Sequence, residues 1–380
     1  MKKLYRFFYW VIALVTLIVI VLKITDYDYI LKGVRVVYMT GHTTAFIDDH
    51  VYFENEIIPP SNNPQPWEKH KDYNTISATP ELQKINDNLG TVALIIIKND
   101  SIWYENYAEG YNETSQTNSF SMAKSVTSAL LGKAIKDGFI KGLDQPIGDF
   151  FPQYKDAETT VGDLSSMASG LDWEESYKSP FSITARAYYD DDLAETILSQ
   201  KVVEKPGVYF KYLSGNTQLL AILIEKATGK QLETYLSESF TQPMGFEQEA
   251  LWQVDDEHNR LVKGYCCIAS NAKDVARFGK LYSNYGNWNG EQLLDSSFVA
   301  TSIAPRFKES PEYGYGFWLS NHLDKKIFVM RGILGQYVIS IPEDNLIIVR
   351  LGHKRGNRNG RTFPSDFYTY VEETYSMLKN

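Results

Sequence analysis

Residues Phe7 to Leu22 form an apolar run broken only by Thr16. With Leu4 and Tyr5 it is about long enough to cross a bilayer. Lys2, Lys3 and Arg6 precede it, a charge bias that keeps an amino terminus in the cytoplasm. A cleavable leader would end in small residues, and Ile-Val-Leu-Lys-Ile-Thr (20–25) offers none. The pattern predicts an uncleaved signal anchor over 1–23, with the rest of the chain on the extracytoplasmic or periplasmic side. Residues 24–80 carry Pro59-Pro60, Asn62-Asn63-Pro64 and Pro66, which suit an extension, spacer or extended wrap.

From there the periodicity changes twice. Thr91 to Ile97 and Ser101 to Tyr107 read as strands turned at Asn99-Asp100. Helical spacing dominates from Ala123 to about Val299, punctuated by Gly138, Gly142, Pro146, Gly170, Pro206 and Gly229. Strands return at Lys326 to Met330, Gln336 to Ile341 and Leu346 to Leu351, the last two joined through Pro342-Glu343-Asp344-Asn345, and Pro364 to Lys379 reads as a closing helix. Strands at both ends with a helical middle predict an α+β domain over 81–380, an antiparallel sheet flanked by helices with a helical lobe.

Composition narrows the function. With 380 residues, 43% of them hydrophobic, the chain has ample material for one large core. A net charge of −9 argues against a nucleic-acid partner, and the one basic cluster, His353 to Arg361, has the glycines and asparagines of a solvated loop. Cys266 and Cys267 are adjacent, so they cannot staple distant segments and read as buried small side chains. No zinc-ligand spacing occurs, and Asp190-Asp191-Asp192 reads as a solvated helix start, so neither metal nor cofactor is expected.

The candidate chemistry starts at Ser121-Met122-Ala123-Lys124. A serine and a lysine three residues apart share a helix face, and a lysine disfavoured as a cation by burial can take the serine's proton. Ser270 and Ser376 also precede a lysine by three, but Ser270 reads as an N-cap with an exposed lysine, and Ser376 lies in the last turn.

Further blocks carry a resemblance. Phe210-Lys211-Tyr212-Leu213-Ser214-Gly215-Asn216, followed by an apolar helix to Gly229, resembles the segment around the catalytic tyrosine of class C β-lactamases and related, penicillin-binding-protein-like serine hydrolases. Val161 to Leu171 and Tyr313 to Trp318 resemble two more of that family's blocks, in order, over residues 90–375. The nearest branch is that of the 6-aminohexanoate-oligomer hydrolases and carboxylesterase-like members.

The resemblance implies Ser121, Lys124 and Tyr212 as nucleophile, base and proton relay, with Lys124 and Tyr212 left open as the main base. It implies an oxyanion site from the backbone N–H groups of Ser121 and Ile333. Ser214 stands where the family's Tyr-x-Asn motif has its amide, and Asn216 is two residues on. The family's Lys-Thr-Gly falls on Met330-Arg331-Gly332, so the lysine that binds a β-lactam carboxylate is missing. Trp173, Tyr188, Tyr189, Gly332 and Gln336 are candidates for the substrate pocket, whereas His353 reads as a loop residue. The expected substrate is a small ester, amide or peptide-like molecule. The alternatives are a non-hydrolytic receptor for a β-lactam or cell-wall fragment, a β-lactamase, a D-Ala-D-Ala peptidase and an inactive scaffold.

Overall fold

The strand Thr91–Lys98 is buried on both faces, which explains why its sequence is a continuous β-branched run and not an alternating one. The computed structural model describes residues 2–379. Among them, this strand lies inside a seven-stranded sheet ordered Trp318–Ser320, Ile327–Gly332, Gln336–Ile341, Leu346–Gly352, Thr91–Lys98, Ser101–Tyr107 and Glu68–Lys69. All pairings are antiparallel except that of the edge strand Glu68–Lys69. Ile348 faces Ile96 and Val349 faces Ile95 across the junction between the late and early strands. Chain ends distant in sequence thus build one sheet.

Side-chain alternation then divides the core. Ile95, Ile97, Ile347 and Val349 join the cluster containing the helix Ala123–Lys136. Leu94, Ile96 and Ile348 meet Leu82, Phe367, Tyr370 and Val371 on the other face, under the closing helix Ser365–Leu378. Helix Ser214–Thr228 packs on Ala123–Lys136 and stops at Gly229, whose φ of 69° suits a glycine cap.

Two departures from the sequence reading matter for the site. The stretch read as helical contains strands Ala250–Gln253 and Ile268–Ser270, which join Asn55–Ile58 and Thr117–Asn118 in a second antiparallel sheet. Strands of three and four residues are too short to carry a readable alternation. Ser270 ends one of them. The N-cap of the following helix is Asn271, whose side chain accepts from the Asp274 N–H, and Lys273 is not free but pairs with Glu105 at 3.3 Å and with Glu113.

The helix Lys2–Ile24 has a mean hydropathy of 2.6 over its apolar window, with none of that window buried, so it is long and apolar enough for a membrane anchor or a signal sequence. It leads into the helix Tyr29–Val36, which packs on Ile183–Tyr189. Asp192, in the acidic run, caps the helix Leu193–Leu198 as expected of a helix start.

Candidate active site

The short strand Thr117–Asn118 delivers the chain into a tight turn, Phe120–Met122, from which the helix Ala123–Lys136 grows. Phe120 sits at φ 48°, a left-handed conformation that a bulky residue holds only when its surroundings impose it. Here they do. Asn118 Oδ1 accepts the Phe120 N–H at 2.9 Å, and the Ser119 N–H donates to Ile268 at 2.8 Å. Asn118 is itself held by Asp49, 2.7 Å away, whose other oxygen takes the Tyr188 hydroxyl at 2.7 Å. Burial pushes the Asp49 carboxyl up to about 6 against the pull of those two bonds.

The turn leaves Ser121 half-buried at the pocket and Lys124 one helical turn beneath it. Lys124 Nζ is 3.1 Å from Ser121 Oγ and donates to the Tyr265 carbonyl at 2.8 Å. Only 2% of Lys124 is exposed, and burial brings its ammonium down to about 8, with Glu175 working the other way. Tyr212 lies close enough to Ser121 for the two to interact electrostatically, and its ring faces Lys124 Nζ at 5.1 Å. Burial first, and Glu175 next, push its phenol well above the ordinary range; Ser121, Arg331 and Arg358 oppose them. Tyr212 is therefore a protonated donor at neutral pH. Arg358 belongs to the basic loop, whose exposed side chains still reach the site electrostatically.

Glu175, which the sequence reading passed over, is a hub. Its Oε2 accepts Trp173 Nε1–H at 2.9 Å and the Ser214 N–H at 2.7 Å; its Oε1 accepts Ser214 Oγ–H at 2.7 Å and the Tyr177 hydroxyl. Ser214 thus keeps a polar place beside Tyr212, but its partner is a carboxylate. Nothing local distinguishes Glu175 from Glu174, so only the folded loop selects it.

Across the pocket, the strand Ile327–Gly332 ends in the turn Ile333–Gly335, with Leu334 at φ 62°. The fully buried Arg350 braces this turn by donating to the carbonyls of Leu334 and Gly335, each at 2.9 Å. Ser121 and Ile333 line one cavity of about 210 Å³, together with Ser214, Tyr188, Tyr189, Tyr265 and Cys266. Cys266 and Cys267 are buried, as expected, and bonded to each other.

Three expected pocket residues lie elsewhere. Asn216 is fully buried and accepts the Ser169 hydroxyl at 2.5 Å, because two residues along a helix from Ser214 turn a side chain inward. Gln336 is fully buried and bonds both backbone groups of Gly352, at 2.7 and 3.0 Å, closing the strand end. Trp173 is 4% exposed; its ring fills the space that Gly215 leaves open, and its indole positions Glu175. His353 is paired with Glu109 at 3.2 Å.

The model of the β-lactamase family matches residues 79–365. The 6-aminohexanoate-dimer hydrolase of Paenarthrobacter ureafaciens is 23% identical over 297 residues, 72% of this chain and 75% of that protein. Among solved structures, a candidate 6-aminohexanoate-dimer hydrolase from Bacillus anthracis aligns at a TM-score of 0.72 and 21% identity, covering 92% of this chain and 93% of the other. A family VIII carboxylesterase aligns at 0.60 and 15% identity, covering 79% and 98%. At these identities the structures establish a shared fold.

Proposed function

The chain belongs to the β-lactamase family of serine hydrolases, and from that premise we propose that it is a membrane-anchored esterase or amidase working through a Ser121 acyl-enzyme. The observation that carries this reading is the buried Lys124 ammonium, lowered to about 8 and 3.1 Å from Ser121 Oγ. In its neutral form Lys124 gives one N–H to the Tyr265 carbonyl, which leaves its lone pair for the Ser121 proton. Oγ attacks the carbonyl carbon, and the oxyanion rests on the N–H groups of Ser121 and Ile333. Tyr212, kept protonated, hands a proton to the departing alcohol or amine and is restored from Lys124. Water then repeats the sequence and releases the acid. Lys124 is the base in this scheme and Tyr212 the relay. The catalytic domain faces the extracytoplasmic side, as the cations before the apolar helix favour.

A β-lactam needs a cation for its carboxylate, and this pocket lacks the usual one. Met330 is 1% exposed, and Arg331 lies 3.9 Å over the Trp318 ring and donates to the Thr362 carbonyl at 3.0 Å. A missing charge-assisted hydrogen bond of ~1.5–3 kcal/mol corresponds to roughly 10- to 150-fold in kcat/KM. The test is p-nitrophenyl acetate against nitrocefin on one preparation, with Ser121→Ala as the blank and a fluorophosphonate label located by peptide mass. Ester hydrolysis is expected to exceed nitrocefin hydrolysis by that factor, with the label on Ser121. Faster nitrocefin turnover would overturn the substrate class; a folded protein that takes no label would overturn the serine mechanism.

Glu175→Gln isolates the role of the charge. The glutamine oxygen can keep the Trp173 and Ser214 N–H donors, while its amide faces the hydroxyls of Ser214 and Tyr177, which can turn to accept. Glu175 raises the Lys124 value, so its neutralisation should move the acid limb of the kcat/KM profile to lower pH. An unmoved limb in a folded variant would remove Glu175 from the electrostatics of the base.

A further inference from the structure

Residues 29–45 form one wall of the cavity that holds Ser121. Ile30, Val34, Val37 and Tyr38 line the pocket that Ser121 and Ile333 also line. The wall is bolted to the domain: Tyr29 OH donates to the Pro180 carbonyl at 2.9 Å, and Lys32 Nζ meets Asp191 at 2.7 Å and the Asp255 carbonyl at 3.0 Å. Gly33 lets the helix close on Tyr189, whose ring would lie 3.3 Å from an added Cβ. The segment is therefore part of the site's architecture.

The lining from this segment is mostly aliphatic and aromatic, with Thr43 and Thr44 at its end, and Lys178 lines the cavity from elsewhere in the chain. Four residues, 25–28, separate Ile24 from Tyr29, at most ~14 Å of chain. Arg186 holds that link through Asp26 at 2.6 Å, and Tyr27 packs on Phe181. Within the wall, Tyr38 and Met39 are 66% and 78% exposed. With the apolar helix seated in a bilayer, the cavity wall lies within a headgroup layer of the acyl region, where amphiphilic esters concentrate.

We propose that this cavity is an acyl-chain subsite, and that the substrates are amphiphilic esters or amides whose apolar acyl chain lies against Ile30, Val34 and Val37. The inference rests on the serine-hydrolase reading above. The chain's carbonyl carbon bonds to Ser121 Oγ as the bond to the leaving oxygen or nitrogen breaks. The leaving group departs protonated, and water releases the chain as its carboxylic acid.

The test is a series of p-nitrophenyl esters from acetate through butyrate and octanoate to dodecanoate, on the full-length chain in detergent micelles. Each methylene buried in the transition state should raise kcat/KM about fourfold until the cavity is full. A gain of at least about tenfold from acetate to the best chain is expected, followed by a fall once the chain outgrows the cavity. Val34→Trp should lower the octanoate-to-acetate ratio by about tenfold, and Val34→Ala should move the optimum to a longer chain. A flat or falling series with active acetate hydrolysis, or ratios that neither Val34 variant changes, would overturn the acyl subsite and leave the hydrolase reading standing. Loss of every ester activity together with Ser121 labelling would instead count against the hydrolase itself.

Discussion

Lys124→Ala is expected to lower kcat/KM for p-nitrophenyl acetate by ~10²–10⁴, the usual cost of losing a general base, without lowering the melting temperature much. The lysine makes no ion pair that folding depends on; its bonds go to Ser121 and to the Tyr265 carbonyl. Burial of an ammonium is itself unfavourable, which is why its value falls to about 8. The sign of the pH dependence follows. Only the neutral amine accepts a proton, so wild-type kcat/KM should climb about tenfold per pH unit below about 8 and level off above it. Lys124→Ala should lack that limb. A variant with near-normal rate, or a wild-type profile flat between pH 6 and 9, would transfer the role of base to another group.

Gly332→Ala should be nearly as damaging for a steric reason. Gly332 has φ −108°, which any residue adopts, so backbone conformation does not require glycine here. Space does. An added Cβ would stand 2.3 Å from the Ser119 carbonyl oxygen, 3.1 Å from Gln336 Cβ and 3.3 Å from Phe120 Cβ. The first of these is backbone and cannot swing away. Either the strand Ile327–Gly332 retreats, taking the Ile333 N–H with it, or the strained Phe120 turn shifts and carries Ser121. A displacement near 1 Å between nucleophile and oxyanion donors costs on the order of 10² in rate, and overpacking of this kind costs about 1–3 kcal/mol of stability. The expected result is a kcat loss of ~10² or more with a modest fall in melting temperature. A Gly332→Ala enzyme keeping a third of wild-type kcat would show that the two walls of the pocket are not in the contact described.

The elements most legible in the sequence were those whose cause is local. The continuous apolar run at the amino terminus, the β-branched Thr91–Lys98 and Leu346–Gly352, and the glycine cap at Gly229 all declare themselves through spacing and backbone preference. The Ser121–Lys124 pair is legible for the same reason, since three residues of helix bring two side chains together. Asp49, Glu175, Tyr265 and Arg350 were not legible. Each acts on a group in another element, from 16 residues away for Arg350 to 141 for Tyr265: Asp49 on Asn118, Glu175 on Ser214, Tyr265 on Lys124, and Arg350 on the turn beyond Gly332.

The same division accounts for the misplaced candidates. Asn216 and Gln336 looked polar enough to face a substrate, but the helix and sheet geometry turned both amides inward to satisfy buried partners. The amino-acid sequence by itself determined the apolar anchor candidate, the α+β alternation of elements, and a serine placed one helical turn from a lysine. The tertiary structure decided that Ser121 sits at a strained turn while Ser270 ends a strand of the second sheet, and that residues 29–45 wall the pocket. It also decided that the partner of Ser214, beside Tyr212, is the Glu175 carboxylate. Those outcomes depend on contacts between separate segments, 39 residues apart for Glu175 and Ser214 and 151 apart for Tyr29 and Pro180, whose partners are chosen by burial and hydrogen-bond satisfaction over the whole domain and leave no periodic trace in either segment.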